Sequence, residues 1–365
     1  MKTNPFKFGS VVDGPFFTDR EEELSQIASY LNSENHLIVI SPRRFGKTSL
    51  IRKIVNKSDR KFIFIDMQVV LSVEDFASQL LKRIYRIYPV QKLKNYIKSF
   101  RLIPVVNINP LTGEPEISFK PGSKELAPLE DVLNLIENLG TRKNKLIVVL
   151  DEFQDIFRIG DGLDRFLRSV MQNHSNINYV FMGSSESMIR EIFEKKTSPF
   201  YRFGTLITLG KISPEKFKLF LNEKFITITE KSKEISEGII SITDSHPYYT
   251  QQLAFTVWEL LARSGYSADI ISIAAAEIVR SHDNDYERLW NGFNRTDMMV
   301  LTGMSSGNIS PLSDEFSRLY GTGATSTVFS TLKRLVHKGI LIKEGSIYSI
   351  DDPFFKRWIV LRRSI

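Results

Sequence analysis

Cysteine is missing from all 365 residues, which excludes disulfides, zinc-thiolate sites and thiol nucleophiles and leaves nothing to argue for an oxidising compartment. No apolar run approaches the roughly 18 residues of a membrane span. The opening MKTNPFKFGSVVDG has no continuous apolar stretch of the kind a signal peptide needs. Cytoplasm is therefore the expected compartment, with no membrane partner. Histidine is scarce, and the five at positions 36, 174, 246, 282 and 337 show no metal-ligand spacing. Repeats and low-complexity tracts are absent too. What remains is ordinary globular composition, 42% hydrophobic and 25% charged, in a chain long enough for two or three domains.

One absence is local. Between Asp75 and Glu114 there is no acidic residue, while Lys82, Arg83, Arg86, Lys92, Lys94, Lys98 and Arg101 supply seven positive charges, as many as the net charge of +7. Tyr85, Tyr88, Tyr96 and Phe100 are interleaved with them. A basic, aromatic stretch over 82–101 suits DNA or an acidic protein surface. The simpler alternative is a solvated helix face whose aromatics turn into the core.

The stretch that organises the chain is His36 to Lys57, HLIVISPRRFGKTSLIRKIVNK. An apolar strand delivers the chain to a loop ending in Gly46-Lys47-Thr48, and a helix follows. Backbone N–H groups of such a loop, with the positive end of the helix, make a cradle for phosphate. Ser41, Pro42, Arg43, Arg44, Phe45, Gly46, Lys47, Thr48 and Ser49 are the candidate nucleotide-binding residues. Lys47 is placed to reach the β and γ oxygens, and the Thr48 hydroxyl to ligate magnesium. Ser41 stands where the motif G-x-x-x-x-G-K-[ST] has its first glycine.

A G-K-[ST] triplet alone is weak, and KLIVVLDEFQ at Lys145 to Gln154 supplies the partner. Five apolar residues followed by Asp151 and Glu152 imply a central parallel strand with carboxylates at its C-terminal end, where α/β sheets bind ligands. Asp151 is then the second magnesium residue, and Glu152 the group that orients or deprotonates water. A strand followed by a helix cap is the bland alternative. Guanine recognition would need N-K-x-D, but Asn144-Lys145-Leu146-Ile147 lacks the aspartate, so ATP is the expected nucleotide.

Along the rest of the chain, strands and helices alternate. Helix patterns are expected over Arg20 to Asn32, Val73 to Tyr88, Pro128 to Leu139 and Leu163 to Met171. Strands are expected at His36 to Ile40, Lys61 to Met67, Asn178 to Met182 and Leu206 to Leu209. Such alternation means a doubly wound parallel sheet. Residues 101–123 look inserted, with β-prone runs at Leu102 to Ile108 and Glu116 to Phe119 flanking a hairpin-like turn at Asn109 to Gly113. Phe16 and Phe17 can wall an adenine pocket. Gly183-Ser184-Ser185 ends a strand, so the Ser184 hydroxyl can position water or sense the γ-phosphate. It is no nucleophile elbow, because G-x-S-x-G fails at Ser187. Arg202, after the rigid turn Ser198-Pro199-Phe200-Tyr201, is a better candidate than Arg190 for neutralising phosphate charge.

From Pro214 the pattern turns helical, with four helices expected through Ser281: Pro214 to Phe225, Ser232 to Ile242, Tyr248 to Arg263 and Ile270 to Ser281. Four helices after such a sheet suit a lid, and Pro247 at the start of one can lie against the base. The tail gives three helices, Thr296 to Met304, Leu312 to Leu319 and Ala324 to Lys338, then a hairpin around Glu344-Gly345, which is the winged-helix order. In the third helix Val328, Leu332, Leu335 and Val336 fall on the core face; Thr325, Ser326, Thr331, Lys333 and Arg334 are expected to stay free.

With these pieces in view, the chain resembles the archaeal-type P-loop ATPases, relatives of the AAA+ and STAND ATPases. The residues that carry the likeness are F-x-D-R-E-E-E-L at Phe17 to Leu24, S-P-R-R-F-G-K-T-S-L at Ser41 to Leu50, L-D-E-F-Q at Leu150 to Gln154, G-S-S at 183–185, S-P-F-Y-R at 198–202, H-P-Y-Y at 246–249 and D-P-F-F-K-R-W at Asp352 to Trp358. Asp19 stands where the family often has glycine. The resemblance implies an ATPase core, a helical lid and a C-terminal winged helix, divided here at 1–210, 211–290 and 291–365. It implies ATP hydrolysis with Lys47, Thr48, Asp151 and Glu152 in the roles given above. An ATPase whose nucleotide state repositions lid and winged helix is the leading expectation. An ATP-switched DNA-binding regulator with little turnover is the second, with DNA held by the winged helix or the 82–101 stretch. A protein partner and an oligomer stay open, and a small-molecule kinase fits the helical and winged extension poorly.

Overall fold

Leu37–Ile40 carries four apolar residues in a row, and all four are buried. A strand covered on both faces has no place for polar alternation. The computed structural model describes residues 3–109, 115–119, 126–307 and 309–363. It divides into two compact units, one of residues 21–41 and 47–209, the other of 1–20, 42–46 and 210–365.

The first unit is the α/β part. Its elements are α1 (Glu21–Leu31), β1 (Leu37–Ile40), α2 (Lys47–Lys57), β2 (Phe62–Asp66), α3 (Val73–Ile87), α4 (Val90–Lys98), β3 (Val105–Ile108), β4 (Pro115–Ser118), α5 (Ala127–Leu139), β5 (Leu146–Asp151), α6 (Ile156–Ile159), α7 (Leu163–Met171), β6 (Ile177–Gly183), α8 (Glu186–Glu194) and β7 (Thr205–Thr208). Five strands form a parallel sheet in the order β2-β5-β6-β1-β7. Every residue of β5 and β6 is buried, as is every residue of β1, as befits the three interior strands. The register sets Ile40 beside Gly183, and Leu150 beside Phe181. The C-terminal ends of β1, β5 and β6 therefore lie along one edge, which is where the loop, the acid pair and the G-S-S turn all emerge.

Three helices here were not foreseen, one of them the four-residue α6. The helix α4 amounts to two turns and a half of mostly polar residues that bury only Leu93 and Ile97, and α8 follows β6 at once. The inserted runs form an antiparallel pair, Val105 opposite Ser118 and Ile108 opposite Pro115; most of the turn expected between them, 110–113, lies outside the described residues. The basic stretch falls on α3, α4 and the turn after them. Tyr88 and Phe100 are buried, the Lys61 and Lys92 ammonium groups stand 3.8 and 5.0 Å from the Tyr88 ring centre, and Arg101 is held by Glu130 and Asp131 at 2.8 Å.

The second unit is helical. It contains α9 (Pro214–Phe225), α10 (Ser232–Thr243), α11 (Pro247–Ser264), α12 (Ile270–Ser281), α13 (Asp283–Asn291), α14 (Arg295–Ser306), α15 (Asp314–Tyr320), α16 (Thr325–His337), β8 (Leu341–Glu344), β9 (Ile347–Ile350) and α17 (Pro353–Arg363). Between Pro214 and Asn291 there are thus five helices rather than four. The fifth, α13, begins Asp283-Asn284-Asp285, turn-like residues that here occupy a first turn, and it buries Tyr286 and Trp290 on one face. The helix α17 was not expected as an element either; Phe354, Phe355, Trp358 and Ile359 make its buried face.

The sequence α14, α15, α16 and the antiparallel pair β8-β9 is a winged helix. Two side chains of α16 expected to be free are not. Thr331 is 2% exposed, and Arg334 is bonded to Asp297, itself 1% exposed, at 2.5 Å. Helical spacing predicts which residues face inward on one helix, but it does not show that α14 places a buried acid within reach of Arg334.

Candidate active site

The helix α2 begins at Lys47, directly after Gly46, and this fixes where the lysine can reach. Its ammonium is 3.2 Å from Glu152 Oε1 and 3.7 Å from Asp151 Oδ1. The next residue, Thr48, donates its hydroxyl to Asp151 Oδ2 at 2.9 Å. Lys47 is 6% exposed and Asp151 7%, so this is a dry cluster of one cation, one hydroxyl and two acids.

The acid pair is shaped by its backbone. Strand β5 ends at Asp151, and Glu152 takes a left-handed conformation with φ 51°, an arrangement that costs a non-glycine residue of order 1 kcal/mol. Asp151 Oδ1 accepts the Glu152 N–H at 3.0 Å. The turn points the Glu152 side chain back across the end of the sheet to β6. There its Oε2 accepts three bonds: Ser184 N–H at 3.0 Å, the Ser184 hydroxyl at 2.7 Å and the Gln154 amide at 2.6 Å.

These neighbours separate the two acids. Burial pushes the Asp151 carboxyl up, helped by the charge of Glu152 and opposed by Lys47 and the Thr48 bond. For Glu152 burial acts in the same sense, but Lys47 and the bonds from Gln154 and Ser184 outweigh it and hold the group below its ordinary value. Glu152 is thus a carboxylate with one oxygen fully engaged and the other paired to a lysine.

Among the described residues no cluster of three or more His, Asp or Glu side chains is built to hold a metal ion. The donors present, a hydroxyl and a carboxylate held together, are hard oxygens of the kind magnesium takes when phosphates and water complete its shell. The residues fit that ion and offer no closed protein cage.

The remaining sequence candidates fall in different places. Ser41 is fully buried and its N–H reaches the Gly183 carbonyl at 3.4 Å; Ser49 is buried in α2. Arg202, with φ 55°, lies over the Tyr201 ring at 5.1 Å and is not among the side chains bonded to Asp151 or Glu152. Arg190 is held by Glu186 and Glu194 at 2.9 and 3.0 Å.

Pro42 to Gly46 belong to the helical unit. Gly46 has φ 84°, and a Cβ there would meet no atom within 4 Å, so its backbone angle rather than space calls for glycine. Arg43 is exposed. Arg44, also left-handed at φ 67°, donates to the Tyr249 hydroxyl at 3.1 Å and lies 4.6 Å from the Tyr248 ring centre. The Phe45 ring meets His246 at 4.6 Å. Arg20, buried, donates to the carbonyls of Phe45 at 3.4 Å and Gly210 at 2.6 Å. Pro247 opens α11, whose cap is His246, accepting the Tyr248 N–H at 3.2 Å.

Three of these residues were quoted in motifs without a role: Arg20, Tyr249 and Gln154. For Tyr249 the signal was a polar group at the head of a buried run, whereas Arg20, followed by the exposed Glu21 and Glu22, gave none. For Gln154 it was a neutral amide two positions beyond the acid pair.

Residues 17–253 match the family described as "ATPase domain predominantly from Archaea", and residues 284–361 match "Probable winged helix domain". No curated protein matches the sequence. Among solved structures, a Walker-type ATPase of Pyrococcus abyssi superposes with a TM-score of 0.67 at 19% identity, over 94% of this chain and 96% of that one. ORC2 of Aeropyrum pernix, solved as ADPNP and ADP complexes, gives 0.56 at 15% identity over 98% and 97%. ORC1 of the same organism, solved in complex with DNA, gives 0.51 at 14% identity over 93% and 91%. At such identities the likeness establishes the fold.

Proposed function

The chain belongs to the family of ATPase domains found predominantly in Archaea and carries a C-terminal winged helix, and from that premise we propose that Lys47, Thr48, Asp151 and Glu152 bind and hydrolyse ATP with magnesium. The observation that carries this is the convergence of loop and acid pair: Thr48 on Asp151 at 2.9 Å and Lys47 on Glu152 at 3.2 Å, from segments about a hundred residues apart.

The geometry suggests an order of events. Lys47 is paired with the two acids. A triphosphate supplies competing oxygens, Lys47 moves to them, and Glu152 Oε1 is left free to accept a proton. Magnesium held by Thr48 and Asp151 would offset the phosphate charge. The attacking water bonds to the γ-phosphorus as its proton passes to Glu152 Oε1; the bond to the bridging oxygen breaks, and ADP leaves with the electron pair. Ser184 steadies Glu152 through Oε2 throughout. Arg202 stands as a further candidate for charge neutralisation, and nucleotide state repositions the lid, 211–290, and the winged helix, 291–365.

Lys47→Ala is expected to lose ATP binding, measured by calorimetric titration. Glu152→Gln is expected to keep binding while phosphate release falls by about 10²-fold or more. Normal phosphate release from either variant defeats the assignment.

A second reading is favoured by the winged helix itself: an ATP-switched regulator that holds DNA, with little turnover. The exposed Thr325, Ser326, Ser330 and Lys333 of α16 form the face it would use.

A further inference from the structure

Gln154 is 5% exposed, and its amide is arranged at its own expense. The Nε2 donates to Glu152 Oε2 at 2.6 Å, while Oε1 is buried with no hydrogen-bond partner among the described residues. A buried amide normally satisfies both ends. Here the carboxylate forbids the flipped orientation, which would set oxygen against oxygen. Room for that stranded oxygen comes from Gly183, where a Cβ would sit 2.5 Å from Gln154 Oε1.

Resting on the assignment of Glu152 as the base, we propose that Gln154 is a positioning residue that decides which oxygen of Glu152 takes the proton. Three donors converge on Oε2: two from Ser184, directly after β6, and one from Gln154 in the 3-10 turn Phe153–Asp155 after β5. They fill that oxygen and fix the plane of the carboxylate. Among the described residues Oε1 has only Lys47, the one partner that an incoming phosphate would draw away. The carboxylate is thereby divided into an anchored oxygen and a working one. Ser184 and Gln154 reach that oxygen from different segments, the turn after β6 and the turn after β5, and together they restrain the last bond of the side chain. A misplacement of about 1 Å in a catalytic group is worth about 10²-fold in rate, so this bond acts on turnover and leaves the loop that binds phosphate untouched.

The test is single-turnover ATP hydrolysis with Gln154→Met, close in volume and without a donor, beside wild type, Glu152→Gln and the double variant. The expected result is a rate about 10- to 100-fold below wild type with ATP affinity within about twofold, and a double variant no slower than Glu152→Gln alone, because both changes act through one group. A wild-type rate, a loss confined to affinity, or losses that multiply in the double variant overturn the proposal. If Glu152→Gln itself turns over normally, the base assignment falls and takes this proposal with it, and that outcome is separate from the others. Should the methionine variant not fold, Gln154→Asn keeps the amide but draws it one methylene back, and the same rates decide.

Discussion

At the scale of single residues, position in the sheet decides what a side chain can do. His36, at the start of β1, is an example outside the site. Its Nδ1 accepts the Tyr179 N–H at 3.3 Å, so the ring is held neutral. Burial first, then the charges of Lys145, Arg168 and His174, push it from 6.5 down to about 4. Above pH 6.5 the ring is neutral folded or unfolded and contributes nothing to the pH dependence. Below that the unfolded chain takes a proton that the folded one refuses, so stability falls as pH drops from 6.5 to 4, by at most about 3 kcal/mol from this group. Burial lowers His174 as well and adds loss in the acid range. Urea unfolding at pH 7 and pH 5 should show the loss, and His36→Asn should shrink it; equal pH dependence in both proteins would refute the assignment.

At the scale of elements, α16 shows how a partner helix overrides a local pattern. Arg334 has the exposure of a surface residue, 41% for its side chain, yet its guanidinium is bonded to Asp297 on α14, where that acid also caps its own helix with Asn294. Removing the cation strands a buried carboxylate. Arg334→Ala is therefore expected to cost about 1 to 3 kcal/mol, less than a fully buried pair because the arginine is part solvated. A denaturation midpoint unchanged from wild type would show the pair to be incidental. The same bond means that weakened DNA binding in an Arg334 variant would report damage to the winged helix before it reported a lost phosphate contact.

At the scale of the whole molecule, net charge of +7 and a winged helix bear on the second function. If α16 reads DNA, duplex affinity should fall steeply with salt, and Lys333→Ala should weaken binding and reduce the salt slope by about one. Filter binding at several salt concentrations checks it. Binding that ignores Lys333, or no binding, removes α16 as the reader. Lys333 is suited to this control because its ammonium lies 4.4 Å from the exposed Phe329 ring centre and, among the described residues, it forms no ion pair like that of Arg334.

Legible from the residues alone were the glycine-lysine loop, the acid pair, the alternation that builds a parallel sheet and the helix order of the wing, because each is a local pattern of spacing and composition. The helices α4, α6, α8, α13 and α17 were less legible: α6 has four residues, α4 starts directly after Pro89, and α13 opens on Asp283-Asn284-Asp285, signals that serve equally well as breaks in the chain. What required distant segments to meet came from the tertiary structure: Glu152 is anchored by Ser184 and paired with Lys47, and Arg334 is committed to Asp297. Contacts between residues far apart in sequence follow from strand order and register, and one chain read alone does not encode those as a pattern.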